Sequence, residues 1–326
     1  MSYFNDKTIL ITGGTGSFGR AFLKTLLRED NPKSIRIYSR GEMLQYETEK
    51  LFPDDRIRFF IGDVRDKERL SRAMNGVDIV VHAAALKQVP ACEYNPIEAV
   101  KTNINGSINI IDTAIDNNVD RVLALSTDKA VHPVNLYGST KMVAEKLFMQ
   151  GNSYSGDIHP TKFSCVRYGN VVGSRGSVVP LFLEQKKSGR LTITDERMTR
   201  FWLTLEEGVQ FVRKCLPIMT GGEVFVPKIP SMKVIDLAHA MAPDAKIETI
   251  GIRPGEKLHE ILLTEDEARH TKEYDTFFVI EPELKFWKNG RTGGRSLPEG
   301  FRYSSDNNTQ WLDKKDFNRM INLSSY

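Results

Sequence analysis

KTILITGGTGSFGRAFLKTLL, residues 7–27, decides the fold of this 326-residue chain. Lys7–Thr12 is a short apolar run that reads as a strand and ends at Gly13-Gly14. Gly13, Gly16 and Gly19 recur every three residues, and Phe22, Leu23, Leu26 and Leu27 follow at the spacing of an amphipathic helix. Strand, glycine turn and helix form the context in which G-x-x-G-x-x-G carries meaning. Glycines let the backbone turn tightly and approach a pyrophosphate, whose charge then meets the N–H groups at the helix start. Gly13, Thr15, Gly16, Ser17, Phe18 and Gly19 are the expected cradle for a dinucleotide.

Working outward, Ser34–Tyr38 is a second strand and runs into Ser39-Arg40. An NAD-binding fold usually carries an acidic residue here for the ribose 2′-hydroxyl. A hydroxyl and a guanidinium suit a 2′-phosphate instead, which favours NADP over NAD. Arg58–Gly62 is a third strand, leading to Asp63-Val64 at the adenine edge. Val77–Ala85 is a fourth, and small residues such as Ala84 let a cofactor lie close to the backbone. Lys87 follows, facing nicotinamide, substrate or solvent. A helix over Asn103–Asn117 is expected to bury Ile104, Ile108, Ile111 and Ile115, and Val122–Leu125 is a fifth strand.

This alternation predicts an α/β fold with a Rossmann-type, doubly wound parallel sheet. Lys162–Val166 continues it, as do a helix at Glu206–Cys215 and a strand at Glu223–Val226. Residues 1–168 plus about 206–228 form the expected dinucleotide domain. Residues of about 169–205 plus 229–326, denser in proline and basic side chains, form a smaller mixed α/β substrate lobe.

The chemistry concentrates in LALSTDKAVHPVNLYGSTKMVAEK, residues 123–146. Tyr137 and Lys141 are one helical turn apart and share a face. A nearby ammonium favours the phenolate and makes the tyrosine a usable base. Asp128 and Lys129 follow a strand, where open α/β sheets place their ligands. In outline this is a proton-transfer site.

A net charge of +3, with 40% apolar and 27% charged residues, gives no reason to expect nucleic acid. Cys92, Cys165 and Cys215 are widely spaced, with no metal-ligand pattern, and read as buried thiols in a reducing cytosol. His132, His239 and His259 attract no catalytic role, and none sits in a metal-ligand spacing. There is no cationic leader, and no apolar stretch approaches the ~20 residues of a membrane span. A cytoplasmic protein without a metal or membrane partner is expected.

GGTGSFG, YGSTK and the long C-terminal lobe resemble the extended short-chain dehydrogenase/reductase family. STDKAVHPVNLYGSTK, RYGNVVGSRGSVVP, RMTRFW, FVPKIPSMK and GIRPGEKLHE narrow the resemblance to its inverting UDP-N-acetylglucosamine 4,6-dehydratases, over roughly Lys7 to Leu312. Their Asp-Lys stands where the C5-retaining dehydratases carry Asp-Glu, and here it is Asp128-Lys129. The resemblance implies that Tyr137 takes the C4 hydroxyl proton as hydride passes to NADP. Lys141 supports Tyr137 and holds the nicotinamide ribose, Lys129 removes the C5 proton, and Asp128 protonates the departing C6 hydroxyl. These implied roles need unusual protonation: a raised carboxyl, and an amine made neutral by burial or by a second cation such as Lys141 or Lys87. Hydride returns to C6, and C5 is reprotonated on the opposite face. Asn170, Arg175, Arg200, Arg253 and Glu256 are then expected at the UDP end, with Lys87 near the sugar. A homo-oligomer, through the helices at 103–117 and around Tyr137, and a role in pseudaminic acid synthesis and flagellin glycosylation are implied in the same way. The rival readings are a nucleotide-sugar 4-epimerase or reductase, which needs no acid and base at C6 and C5, and a non-catalytic NADP-sensing regulator, which needs no Tyr/Lys pair.

Overall fold

Burial on both faces turns the apolar runs of the N-terminal half into a parallel sheet. The computed structural model describes residues 2–155, 160–174, 178–283 and 293–324. In chain order the sheet and its helices are β1 (Thr8–Thr12), α1 (Ser17–Glu29), β2 (Ser34–Ser39), α2 (Glu42–Leu51), β3 (Ile57–Ile61) and α3 (Lys67–Met74). They continue as β4 (Ile79–His82), α4 (Val89–Tyr94), α5 (Pro96–Val100), α6 (Gly106–Asp116), β5 (Arg121–Leu125), α7 (Leu136–Gly151) and β6 (Lys162–Val166). The strands pair in parallel in the order β3-β2-β1-β4-β5-β6, the doubly wound arrangement expected from the sequence. Every residue of β1 and β4 is buried. The order reverses beside β1, so β1 and β4 open a crevice at their carboxyl ends.

The sheet extends further than expected. Val224–Pro227 adds in parallel to β6, then Phe277–Ile280, Thr271–Glu273 and Arg295–Ser296 add antiparallel. These three strands lie beyond residue 229 in the chain and belong to the central sheet. Phe277–Ile280 is buried throughout, and pairing it with Val224–Pro227 covers an edge that would otherwise be open. The rest of the C-terminal half has its own core around Trp202, Phe182, Leu191, Leu237 and Phe317.

The expected isoleucine stripe also shifts. The helix begins at Pro96, and a π-helical turn at Lys101–Asn105 joins α5 to α6. The face that packs is Asn103, Gly106, Ser107, Ile110, Ile111 and Ala114, while Ile108 is exposed. Gly106 decides this: a Cβ there would lie 2.8 Å from Val64 Cγ2, so only a residue without one lets the helix approach. Among the described residues no helix is long and apolar enough to cross a membrane.

Candidate active site

A cleft of about 800 Å³ is lined by the turns that follow β1, β2, β4 and β5. Gly13, at φ +66°, leaves room for the chain after β4: a Cβ there would lie 2.9 Å from Ala84 N. A Cβ on Gly19 would lie 2.4 Å from Gly14 Cα, so α1 meets the turn through glycine alone. Gly16 caps α1 without a side-chain hydrogen bond, and Gly16, Ser17 and Phe18 line the cleft. A helix start with no side-chain cap, at the end of a buried strand, fits a dinucleotide diphosphate.

Ser39, Arg40, Asp63, Val64 and Ala84 line the same cleft. The Arg40 side chain is 56% exposed and lies 3.8 Å from Asp63 Oδ2, while Arg65 binds that carboxylate more tightly, at 2.7 Å. Burial would raise the Asp63 pKa, but the hydrogen bonds from Arg65 outweigh it and hold the carboxyl below its usual range. Gln45 was not foreseen. Its Nε2 donates to Ser39 O at 3.0 Å, Ser39 Oγ at 3.1 Å and Phe60 O at 2.9 Å, which fixes the turn carrying Arg40. Asn103 in the π turn does the same after β4: Leu86 N–H donates to its Oδ1 at 2.8 Å, and its Nδ2 donates to Leu86 O at 2.9 Å.

At the far end, Thr127 opens a short 3₁₀ turn, Asp128–Ala130, against the start of α7. The approach depends on Gly138, where a Cβ would lie 2.2 Å from Lys129 O. Asn135 caps α7 by accepting from Gly138 N–H at 2.8 Å, and its Nδ2 donates to Gly255 O at 2.8 Å. The cap thus ties the helix bearing Tyr137 and Lys141 to the loop at 251–258.

Lys129, Tyr137 and Lys141 line the cleft and Asp128 is bonded to Lys129, with electrostatics that differ from the sequence reading. Asp128 is fully buried; its Oδ1 accepts from Lys129 Nζ at 3.0 Å and Thr127 Oγ1 at 2.9 Å, and its Oδ2 has no hydrogen-bond partner. Burial raises its pKa against the pull of Lys129, the direction an acid requires. Lys129 departs from expectation. Burial alone would lower its pKa, but Asp128 and Glu260, the latter 3.6 Å away, outweigh burial and hold it above the usual range. The resting amine is therefore charged.

Burial pushes the Tyr137 phenol up to about 12, and the strongest influence drawing it back is Lys129. Lys141, expected in that part, donates from Nζ to Leu125 O at 2.7 Å, and burial lowers its own pKa. Lys87 lies on the cleft wall, where partial enclosure and then the Lys129 charge lower its pKa.

Of the residues expected at the UDP end, Asn170 lines the cleft and accepts from Lys129 Nζ at 3.3 Å. Arg175 lies outside the described residues. Arg253 is exposed, and Glu256 Oε2 is buried without a hydrogen-bond partner. Arg200 is engaged elsewhere: its guanidinium donates to the carbonyls of Thr199 at 2.7 Å, Lys257 at 2.9 Å and Leu258 at 3.0 Å. Its Nε lies 3.7 Å from Glu260. Glu260 was not singled out from the sequence; its signal was a carboxylate closing the cation-rich GIRPGEKLHE before an apolar run.

Residues 9–282 match the family described as "Polysaccharide biosynthesis protein". The chain is 53% identical, over 98% of both chains, to a UDP-N-acetylglucosamine 4,6-dehydratase (inverting) of Campylobacter jejuni subsp. jejuni serotype O:23/36 (strain 81-176). It is 42% identical to a UDP-glucose 4-epimerase of Rickettsia canadensis (strain McKiel), over 85% of this chain and 83% of the relative. Among solved structures it resembles Pen from Bacillus thuringiensis, with a TM-score of 0.89 and 39% identity over 98% of this chain and 99% of that one.

Proposed function

The chain belongs to the polysaccharide biosynthesis protein family, a group of extended short-chain dehydrogenases/reductases, and from that premise we propose that it dehydrates UDP-N-acetylglucosamine with inversion at C5. The product is a UDP-2-acetamido-2,6-dideoxy-hexos-4-ulose of L-arabino configuration. The observation that carries the reading is Lys129, which shares the cleft wall with Tyr137 and is joined at 3.0 Å to the buried Asp128. A 4-epimerase needs the tyrosine but has no use for an acid and a base directed at C6 and C5.

A nicotinamide dinucleotide in the cleft supplies the hydride acceptor and donor. Tyr137 takes the C4 hydroxyl proton; its phenol must first be drawn down from about 12, and Lys129 acts in that direction. Lys129 Nζ rests charged, so it becomes a base when its proton moves to Asp128 Oδ1 across the 3.0 Å bond. That one transfer leaves a neutral amine for the C5 proton and a carboxylic acid for the departing C6 hydroxyl. Burial of both groups favours the uncharged pair. Lys141, anchored on Leu125 O, holds the base of the ribose site. Asn170, Arg175, Arg253 and Glu256 are the residues we assign to the UDP end, with Arg200 acting through the 257–260 segment. The same reading puts the protein in the cytoplasm, as a homo-oligomer acting early in pseudaminic acid synthesis.

Incubation with UDP-N-acetylglucosamine in deuterated water tests this. Loss of one water, with solvent deuterium at an inverted C5, is the expected result by mass spectrometry and NMR. A C4 epimer with no loss of mass supports the epimerase reading, which the similarity to the Rickettsia relative favours. For the cofactor we propose NADP, because β2 ends in Ser39-Arg40 with no carboxylate. Arg40→Ala should weaken NADP binding about 10- to 150-fold and leave NAD unchanged, since one charge-assisted contact is worth about 1.5–3 kcal/mol. Equal loss for both would remove Arg40 from the phosphate site.

A further inference from the structure

Glu260 sits immediately before the strand Ile261–Leu263, with its side chain 4% exposed. Three cations surround its carboxylate: Lys129 Nζ at 3.6 Å, Arg200 Nε at 3.7 Å and Lys257 Nζ at 3.7 Å. None of these is a hydrogen-bond distance, and Glu260 Oε2 has no hydrogen-bond partner. A buried carboxylate is ordinarily saturated with donors, so one held by charge alone calls for an explanation.

The backbone beneath it is fixed. Glu260 N–H donates to Ser305 Oγ at 2.9 Å, and Ser305 N–H donates back to Glu260 O at 2.8 Å. Ser305 Oγ in turn lies 2.7 Å from Thr199 Oγ1. Arg200 is held by three carbonyls, and Lys257 Nζ donates to Val131 O at 2.5 Å. Of the three cations, Lys129 is the one whose partner carboxyl, Asp128, also has an unpaired oxygen.

We infer that Glu260 is a positioning residue for this reaction: its fixed negative charge holds Lys129 Nζ over Asp128 Oδ1 and sets the pH range in which that pair carries one proton between them. The inference rests on the dehydratase reading and deepens it. The active pair holds a single proton. A second proton blocks the base and produces the acid limb of the rate profile; loss of the last one removes the acid and produces the alkaline limb. An anion beside the pair favours the proton at both steps, so it displaces both limbs upward. The other charged or titratable groups facing Lys129 are Asp128, Arg200, Lys257, Lys87 and Tyr137. The residue before Glu260, His259, turns away to Thr199 Oγ1 at 2.8 Å.

The test compares wild type with Glu260→Gln and Glu260→Asp, by the pH dependence of kcat/KM for UDP-N-acetylglucosamine. The Lys129 amine is also titrated directly by NMR in protein labelled with 13C at lysine Cε, with its signal assigned by loss in Lys129→Met. In Glu260→Gln both limbs and the amine midpoint should fall by about one pH unit or more. Glu260→Asp, with the charge kept but drawn back by one methylene, should move them the same way by less. Unmoved limbs and an unmoved midpoint overturn the proposal, as do limbs that move in opposite directions; a merely structural loss would lower kcat and leave the limbs in place. Should the glutamine variant not fold, the wild-type midpoint decides, and a value at or below the ordinary ~10.4 overturns the proposal. The titration needs no turnover, so failure of the dehydratase reading is seen separately, as wild type that forms no dehydrated sugar at any pH.

Discussion

Two buried clusters of charge come within two residues of each other in the chain and are built on opposite terms. In the first, Arg167 uses all five N–H donors: Nε and Nη2 on Glu145, Nη1 and Nη2 on Glu267, and Nη1 on Leu262 O. Ser126 Oγ adds a bond to Glu145 at 2.6 Å, and Glu267 belongs to a capping box with Thr264. In the second, around Lys129, most ion pairs stand at 3.6–3.7 Å and Asp128 and Glu260 each keep an unpaired oxygen. Saturation marks the first as a strut that fixes the end of β6 against α7 and the C-terminal half. Want of partners sets the second apart, and it is the cluster to which we assign proton transfer.

The largest effect expected from this contrast is on turnover. Lys129→Met should lower kcat by about 10²–10⁴-fold, the range for a lost general base, while leaving the cofactor bound. A variant that turns over at the wild-type rate would remove the lysine from the chemistry. Arg167→Met should do the reverse, costing about 3–5 kcal/mol because it strands two carboxylates, with kcat per folded molecule little changed. Equilibrium denaturation read beside kcat separates the two, and similar losses of both in each variant would break the distinction.

A smaller effect is expected with pH. Burial alone would raise the Glu267 carboxyl, but Arg167 outweighs it and holds it at about 2, below its ordinary value. Its share of stability, about 3 kcal/mol from that displacement, is complete above roughly pH 4.5 and drains as the pH falls toward 2. Glu267→Gln should flatten the stability curve in that window and nowhere else. A curve as steep as wild type would move the acid sensitivity to another carboxylate.

The strut and the reaction centre differ equally in how far the sequence discloses them. Tyr137 with Lys141, and Asp128 with Lys129, are local patterns whose spacing carries their geometry, and the glycine turn is local too. The parallel core was legible for the same reason, since strands buried on both faces are continuous apolar runs. Glu260 reaches Lys129 from 131 positions away, and its local signal, a carboxylate closing a cation-rich run between two strands, does not say which cation it will face. Arg200 was visible as an arginine, but its engagement by three carbonyls is a property of the fold. The displaced stripe on α6 came from one extra residue in a π turn, which periodicity does not register. The antiparallel strands at 271–280 were missed because two short runs do not announce which sheet edge they will join.

Asn135 has a consequence of another kind. Serine, threonine or aspartate would serve as a helix cap, but none offers both an acceptor for Gly138 N–H and an amide donor for Gly255 O. Anyone grafting a foreign 251–258 segment to change sugar preference inherits that constraint. The transplant has to present a carbonyl where Gly255 does, or the helix carrying the tyrosine loses its register with the sugar it is meant to oxidise.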